Sequence, residues 1–125
     1  MSKFRKGSVL VVLVALVALA AAVSAFGGSA QQTATSTVAV TAGKPSELKF
    51  TLSKKTILKG TGIFKVTIRG ALRHDFKFGG KKTIMLATGK IATLKVTFTK
   101  AGRYTYLCTV PGHAAAGMKG VLVVK

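Results

Sequence analysis

Four side chains in this sequence could share one metal ion. Cys108, His113 and Met118 are spaced Cys-x4-His-x4-Met near the C-terminus, and His74 stands alone upstream. A cysteine thiolate is soft and strongly donating, two neutral imidazoles suit either oxidation state of copper, and a methionine thioether is a weak, long-range donor. Together they are what a trigonal copper site with a weak axial ligand asks for, and such a site exchanges one electron. The chain has two histidines and one cysteine, and all three fall in this set.

Three ligands on one short loop can close around an ion only if a fourth arrives from elsewhere, so the fold must bring His74 to that loop. The elements that would do this show a period of two. Phe64, Val66 and Ile68 alternate with Lys65, Thr67 and Arg69, and Leu94, Val96 and Phe98 alternate with Lys95, Thr97 and Thr99. Such alternation marks strands with one face in a core and one in water. Shorter runs of the same kind occur at 38–41, 48–52, 76–78, 83–87, 103–108 and 121–125, separated by Gly- and Pro-containing breaks. Roughly seven or eight short strands with no helical period predict an all-β, two-sheet sandwich. His74 then lies in the connection after the Phe64 strand. Cys108 ends a strand in phase with Tyr104 and Tyr106, and residues 109–119 form the loop into the last strand. Both loops can lie at one end of the sandwich.

The 125 residues divide into an apolar start, a tether and one domain. Residues 1–6 are basic and residues 8–25 are apolar apart from Ser8 and Ser24, with small side chains at the end of the run. Residues 1–25 therefore read as a secretory signal peptide, or as a membrane anchor reaching to about residue 26. Residues 26–36 are uncharged, Phe26 followed only by Gly, Ser, Ala, Gln and Thr, and read as a flexible linker. The domain is expected at 37–125. Either reading of the start exports the protein to a periplasm, a cell surface or the medium. A single Cys in an oxidising compartment forms no internal disulfide, and metal ligation explains why a free thiol is tolerated there.

Lys and Arg number 20 against only Glu47 and Asp75, a formal charge of +18. Losing residues 1–25 removes Lys3, Arg5 and Lys6, leaving 17 basic groups against two acidic ones, or +15. This one-signed field attracts an acidic protein partner, an anionic membrane or a cell-wall polymer. Export makes nucleic acid the less fitting target.

The chain resembles the cupredoxins, the blue-copper family of plastocyanin, azurin and rusticyanin, over roughly residues 37–125. The residues that carry the resemblance are His74-Asp75-Phe76, the approach Gly102-x-Tyr104-x-Tyr106-x-Cys108, and Cys108-Thr-Val-Pro-Gly-His113-Ala-Ala-Ala-Gly-Met118-Lys-Gly120. Four-residue gaps on both sides of His113 are similar to the loops of rusticyanin and sulfocyanin. The resemblance implies a two-sheet Greek-key β-sandwich that acts as an electron carrier. It also implies one copper ion, cycling between Cu(I) and Cu(II), with His74, Cys108 and His113 as strong equatorial ligands and Met118 as the axial one.

Further roles follow from the resemblance by position. Asp75 is expected to tie the two ligand loops together by accepting hydrogen bonds near Thr109; the bland alternative is an exposed acid paired with Arg73 or a lysine. Ile68 stands six residues before His74, where many relatives carry Asn, so that side chain cannot make the usual loop-to-loop bond. Met85 reads as core filler, and Tyr104 and Tyr106 as core aromatics. Pro111, Gly112, Ala114, Ala115 and Ala116 surround His113 with small groups that let a partner approach, and Lys119 is expected to help choose an acidic one. No histidine or cysteine is left over for a second copper centre, so an enzyme is not expected. The expectation is an exported, monomeric one-electron carrier. The alternatives are a copper-binding or delivery protein without a redox role, and a polycation that binds anionic polymers.

Overall fold

The computed structural model describes residues 33–125, which fold into nine strands arranged in two sheets. The expected signal or anchor, and most of the expected linker, lie outside the described residues. The strands are β1 (Ala34–Ala42), β2 (Phe50–Leu52), β3 (Thr56–Ile57), β4 (Gly60–Ile68), β5 (Lys77–Phe78), β6 (Lys81–Lys82), β7 (Ile91–Phe98), β8 (Gly102–Leu107) and β9 (Lys119–Val124). One sheet has the order β2-β1-β4-β7, and the other β3-β9-β8-β5-β6. Both are mixed: β1 runs parallel to β4 and β3 parallel to β9, while the other pairs are antiparallel. β1 begins at Ala34 and pairs Ala34, Thr35 and Ser36 with Gly60, Thr61 and Gly62, so these three residues belong to the sheet and not to the expected tether.

The alternation in the sequence is the alternation of burial. In β4 the side chains of Phe64, Val66 and Ile68 are buried while Lys65 is exposed, and in β7 Leu94 and Phe98 are buried while Lys95 is exposed. The inner faces meet through aromatic rings. Phe64 from the first sheet stacks on Phe78 from the second at 5.0 Å, and Phe98 packs edge-on against Phe78 at 5.3 Å and Tyr104 at 5.0 Å. Gly62 leaves room for this, since a Cβ there would lie 2.9 Å from both the Phe64 and Phe98 rings. Offset and edge-on ring pairs add about 0.5–1.5 kcal/mol each beyond simple burial.

Two expectations change. Residues 83–87 do not form a strand, because Ile84 and Met85 are both exposed and break the period of two. The chain instead makes the short β5–β6 hairpin and then runs irregularly, with Thr83 and Phe76 joined by reciprocal bonds of 3.0 Å. Met85 is accordingly not core filler: it is 38% exposed. β3 was not anticipated, since two residues show no period, yet its Ile57 is buried against the core.

Candidate metal centre

The two ligand loops meet at one end of the sheets. Beyond β4 the chain turns through Gly70 and Leu72 to His74, which forms an isolated antiparallel bridge with Leu86, its N–H donating to the Leu86 carbonyl at 3.1 Å and its carbonyl accepting from Leu86 N–H at 2.8 Å. Cys108 follows β8 directly and keeps the inward phase of Tyr106. Between Cys108 and β9 the loop is tied into consecutive turns. His113 N–H donates to the Val110 carbonyl, Met118 N–H to the His113 carbonyl at 2.9 Å, and Cys108 N–H to the Met118 carbonyl at 3.1 Å. The backbones of all three loop ligands are thus bonded to one another. Gly112 (φ 83°) and Gly117 (φ 112°) immediately precede His113 and Met118. Both occupy the left-handed region that glycine enters without steric cost, so each turn reverses just where a ligand must point inward.

His74, Cys108 and Met118 are buried and His113 is half-buried. His74 Nδ1 lies 3.2 Å from His113 Nδ1 and 3.9 Å from Cys108 Sγ, and Cys108 Sγ lies 3.6 Å from His113 Nδ1. These separations fit a metal ion. Bonds of about 2.0–2.1 Å to nitrogen and about 2.3 Å to sulfur, typical of a late first-row ion, would span them with angles of roughly 100–130°. A nitrogen, nitrogen, thiolate set, closed by a loop that also carries the buried Met118, has the soft character that selects copper. The site takes one copper ion.

The cysteine sulfur is balanced between opposing influences. Burial pushes the Cys108 thiol above its usual value, while the backbone N–H groups of Asp75 and Val110 lower it by favouring the thiolate. In the metal-free protein burial prevails, so an entering cation must displace a proton.

Asp75 makes the expected tie. Its Oδ1 accepts from Thr109 N–H at 2.6 Å and its Oδ2 accepts from the Thr109 hydroxyl. It is 1% exposed and does not pair with Arg73. Ile68, at the position where the resemblance suggested Asn, is buried in the core, and the loop-to-loop tie runs through Asp75. Glu47, which the sequence reading passed over, reaches the other side of His74, accepting from its Nε2 at 2.9 Å.

Of the residues expected to surround His113, Pro111, Gly112, Ala115, Ala116 and Lys119 are exposed and Ala114 is half-buried. The apolar side of this surface has no period in the sequence to mark it. Leu72, Arg73, Met85 and Val110 line a shallow depression with His113, and Leu72 is 48% exposed.

The site and its sandwich define a cupredoxin centre, and comparison with known proteins agrees. Residues 36–125 match the family described as copper-binding proteins, plastocyanin/azurin family. This chain belongs to that family. It is 41% identical over 54 residues to the copper-resistant cuproprotein CopI of Pseudomonas aeruginosa, covering 43% of this chain and 28% of that protein. It is 45% identical over 42 residues to auracyanin-B of Chloroflexus aurantiacus, covering 34% of this chain and 18% of that one. The chain thus spans less than a third of the length of these curated relatives. In structure it is similar to rusticyanin from Thiobacillus ferrooxidans, with a TM-score of 0.63 at 22% identity over 73% of this chain and 77% of that one. Auracyanin B gives a TM-score of 0.61 at 24% identity over 74% and 90% of the two chains. These two likenesses establish the fold.

Proposed function

We propose that this protein is an exported, monomeric, mononuclear blue-copper carrier that passes one electron at a time between protein partners and is not itself an enzyme. The observation that carries the reading is the convergence of His74, Cys108 and His113 within 4.8 Å at the end of a two-sheet, cupredoxin-like sandwich. Bound copper supplies the one-electron couple. The chain supplies the rest: the bonded loop holds three ligands in place, and the buried core keeps water from His74, Cys108 and Met118. His113 is the ligand with exposed surface, so its ring edge is the exit route. Leu72, Met85 and Val110 give a partner a dry contact beside it, and Pro111, Gly112, Ala115 and Ala116 let that partner come close.

The excess of basic groups selects an acidic partner and steers it; the same field can hold the protein near an anionic membrane or cell wall. Export rests on the apolar start of the sequence and on the lone cysteine.

A second reading, copper binding and delivery, is favoured by the match to the copper-resistant cuproprotein. Repeated reduction and reoxidation in the presence of a copper chelator separates the two. A carrier keeps its metal in both oxidation states over many cycles; a deliverer surrenders it in one of them, and that outcome would replace the first reading with the second.

A further inference from the structure

The chain contains two acidic residues among 125, and both are hydrogen-bonded beside His74. Asp75 fastens the cysteine loop, as expected. Glu47 lies in the connection between β1 and β2 and makes three bonds: Oε1 accepts from His74 Nε2 at 2.9 Å and from Leu72 N–H at 2.8 Å, and Oε2 accepts from Ala71 N–H at 2.8 Å.

The place is built to receive this carboxylate. A Cβ at Gly70 would collide with all of it, the nearest carbon at 2.7 Å. Gly43, at φ 84°, lets the two connections touch, since a Cβ there would sit 2.5 Å from the Gly70 backbone. Gly43 N–H donates to the Lys49 carbonyl at 2.9 Å, which closes the turn that carries Glu47. Two glycines and three donors thus converge on one side chain.

The bond also fixes the tautomer of the neutral ring. An ionised carboxylate only accepts, so His74 Nε2 carries the proton, and in the neutral imidazole Nδ1 keeps its lone pair. Nδ1 is the atom that faces His113 and Cys108. Among the described residues no carboxylate contacts the His113 ring, so the two imidazoles differ in kind.

We infer that Glu47 is the positioning residue of the copper centre: it locks His74 in the ligating tautomer, strengthens its donation, and biases the site toward Cu(II). The bias toward Cu(II) rests on the blue-copper reading above; the tautomer does not. A carboxylate hydrogen-bonded to a ligating histidine raises ligand basicity, and loss of such a partner commonly costs about 10–100-fold in metal affinity. A negative charge there also favours the more highly charged ion.

The test is Glu47→Gln in the full chain, loaded with copper and titrated electrochemically beside the wild type. Gln can still accept from His74 but carries no charge. The expected result is a change of about tenfold in the Cu(II)-to-Cu(I) affinity ratio toward Cu(I), which raises the midpoint potential by about 59 mV. A variant that loses thermal stability but keeps the wild-type potential reduces Glu47 to a loop fastener and overturns the inference. Should Glu47→Gln fail to fold or load, ¹⁵N spectra of wild-type histidines in the Cu(I) protein decide it: a slowly exchanging Nε2 proton on His74 supports the inference, and a proton on Nδ1 overturns it. If the wild type shows no blue band, the functional reading fails, and the same ¹⁵N measurement on the metal-free protein upholds or rejects the tautomer separately.

Discussion

Removing the Asp75 carboxylate should unfasten the two ligand loops before any metal is involved. In Asp75→Ala, the Thr109 N–H loses an acceptor at 2.6 Å and the Thr109 hydroxyl loses its own. Hydrogen bonds to a charged acceptor contribute about 1.5–3 kcal/mol each, and Thr109 is only half-buried, so water replaces part of what is lost. The expected cost is about 3–4 kcal/mol, equivalent to a Tm about 12–32 °C lower for a domain of this size. Asp75→Asn keeps a carbonyl for the N–H and offers an amide to the hydroxyl oxygen, so about 1 kcal/mol should suffice for it. Thermal and denaturant unfolding of the metal-free protein is the right assay, because copper binding would mask the loss by mass action. An Asp75→Ala protein within about 0.5 kcal/mol of the wild type would refute the claim that this side chain joins the loops.

Other expectations follow from the same geometry. Below pH 4.5 the metal-free wild type should lose stability relative to Glu47→Gln. The N–H groups of Ala71 and Leu72, and then His74, hold the Glu47 carboxyl at about 2 instead of 4.5. Its contribution is therefore complete above 4.5 and disappears as pH falls toward 2; parallel acid-unfolding curves for the two proteins would contradict this. Because burial raises the Cys108 thiol, copper uptake should release a proton and weaken as pH falls, which calorimetry in buffers of different ionisation enthalpy measures. Leu72→Asp should slow electron transfer to an acidic partner while leaving the copper spectrum intact; an unchanged rate would remove the apolar rim from the docking surface. Raising salt should slow the same transfer, since attraction between exposed charges is screened beyond about 8 Å at physiological ionic strength.

The ligands were legible in the sequence because they are rare residue types at distinctive spacing, and the long strands because Phe64–Ile68 and Leu94–Phe98 alternate cleanly. Asp75 was legible because it adjoins a ligand. Glu47 was not, since it lies 27 residues from His74 and reaches it only through the close approach of Gly43 and Gly70. Met85 misled because an apolar run looks like a strand until burial shows that two successive side chains face solvent. Leu72 was invisible for a related reason: a single apolar residue in a turn has no period to betray which surface it joins.

The central claim is that one copper ion is held by the Cys108 thiolate with His74 and His113, and optical titration with Cu(II) tests it most directly. One copper ion bound in this way gives an intense visible thiolate-to-copper band that saturates at one equivalent, bleaches reversibly with a reductant, and is absent from Cys108→Ser. A band that survives in Cys108→Ser, or a wild type that binds copper without any such band, would contradict it.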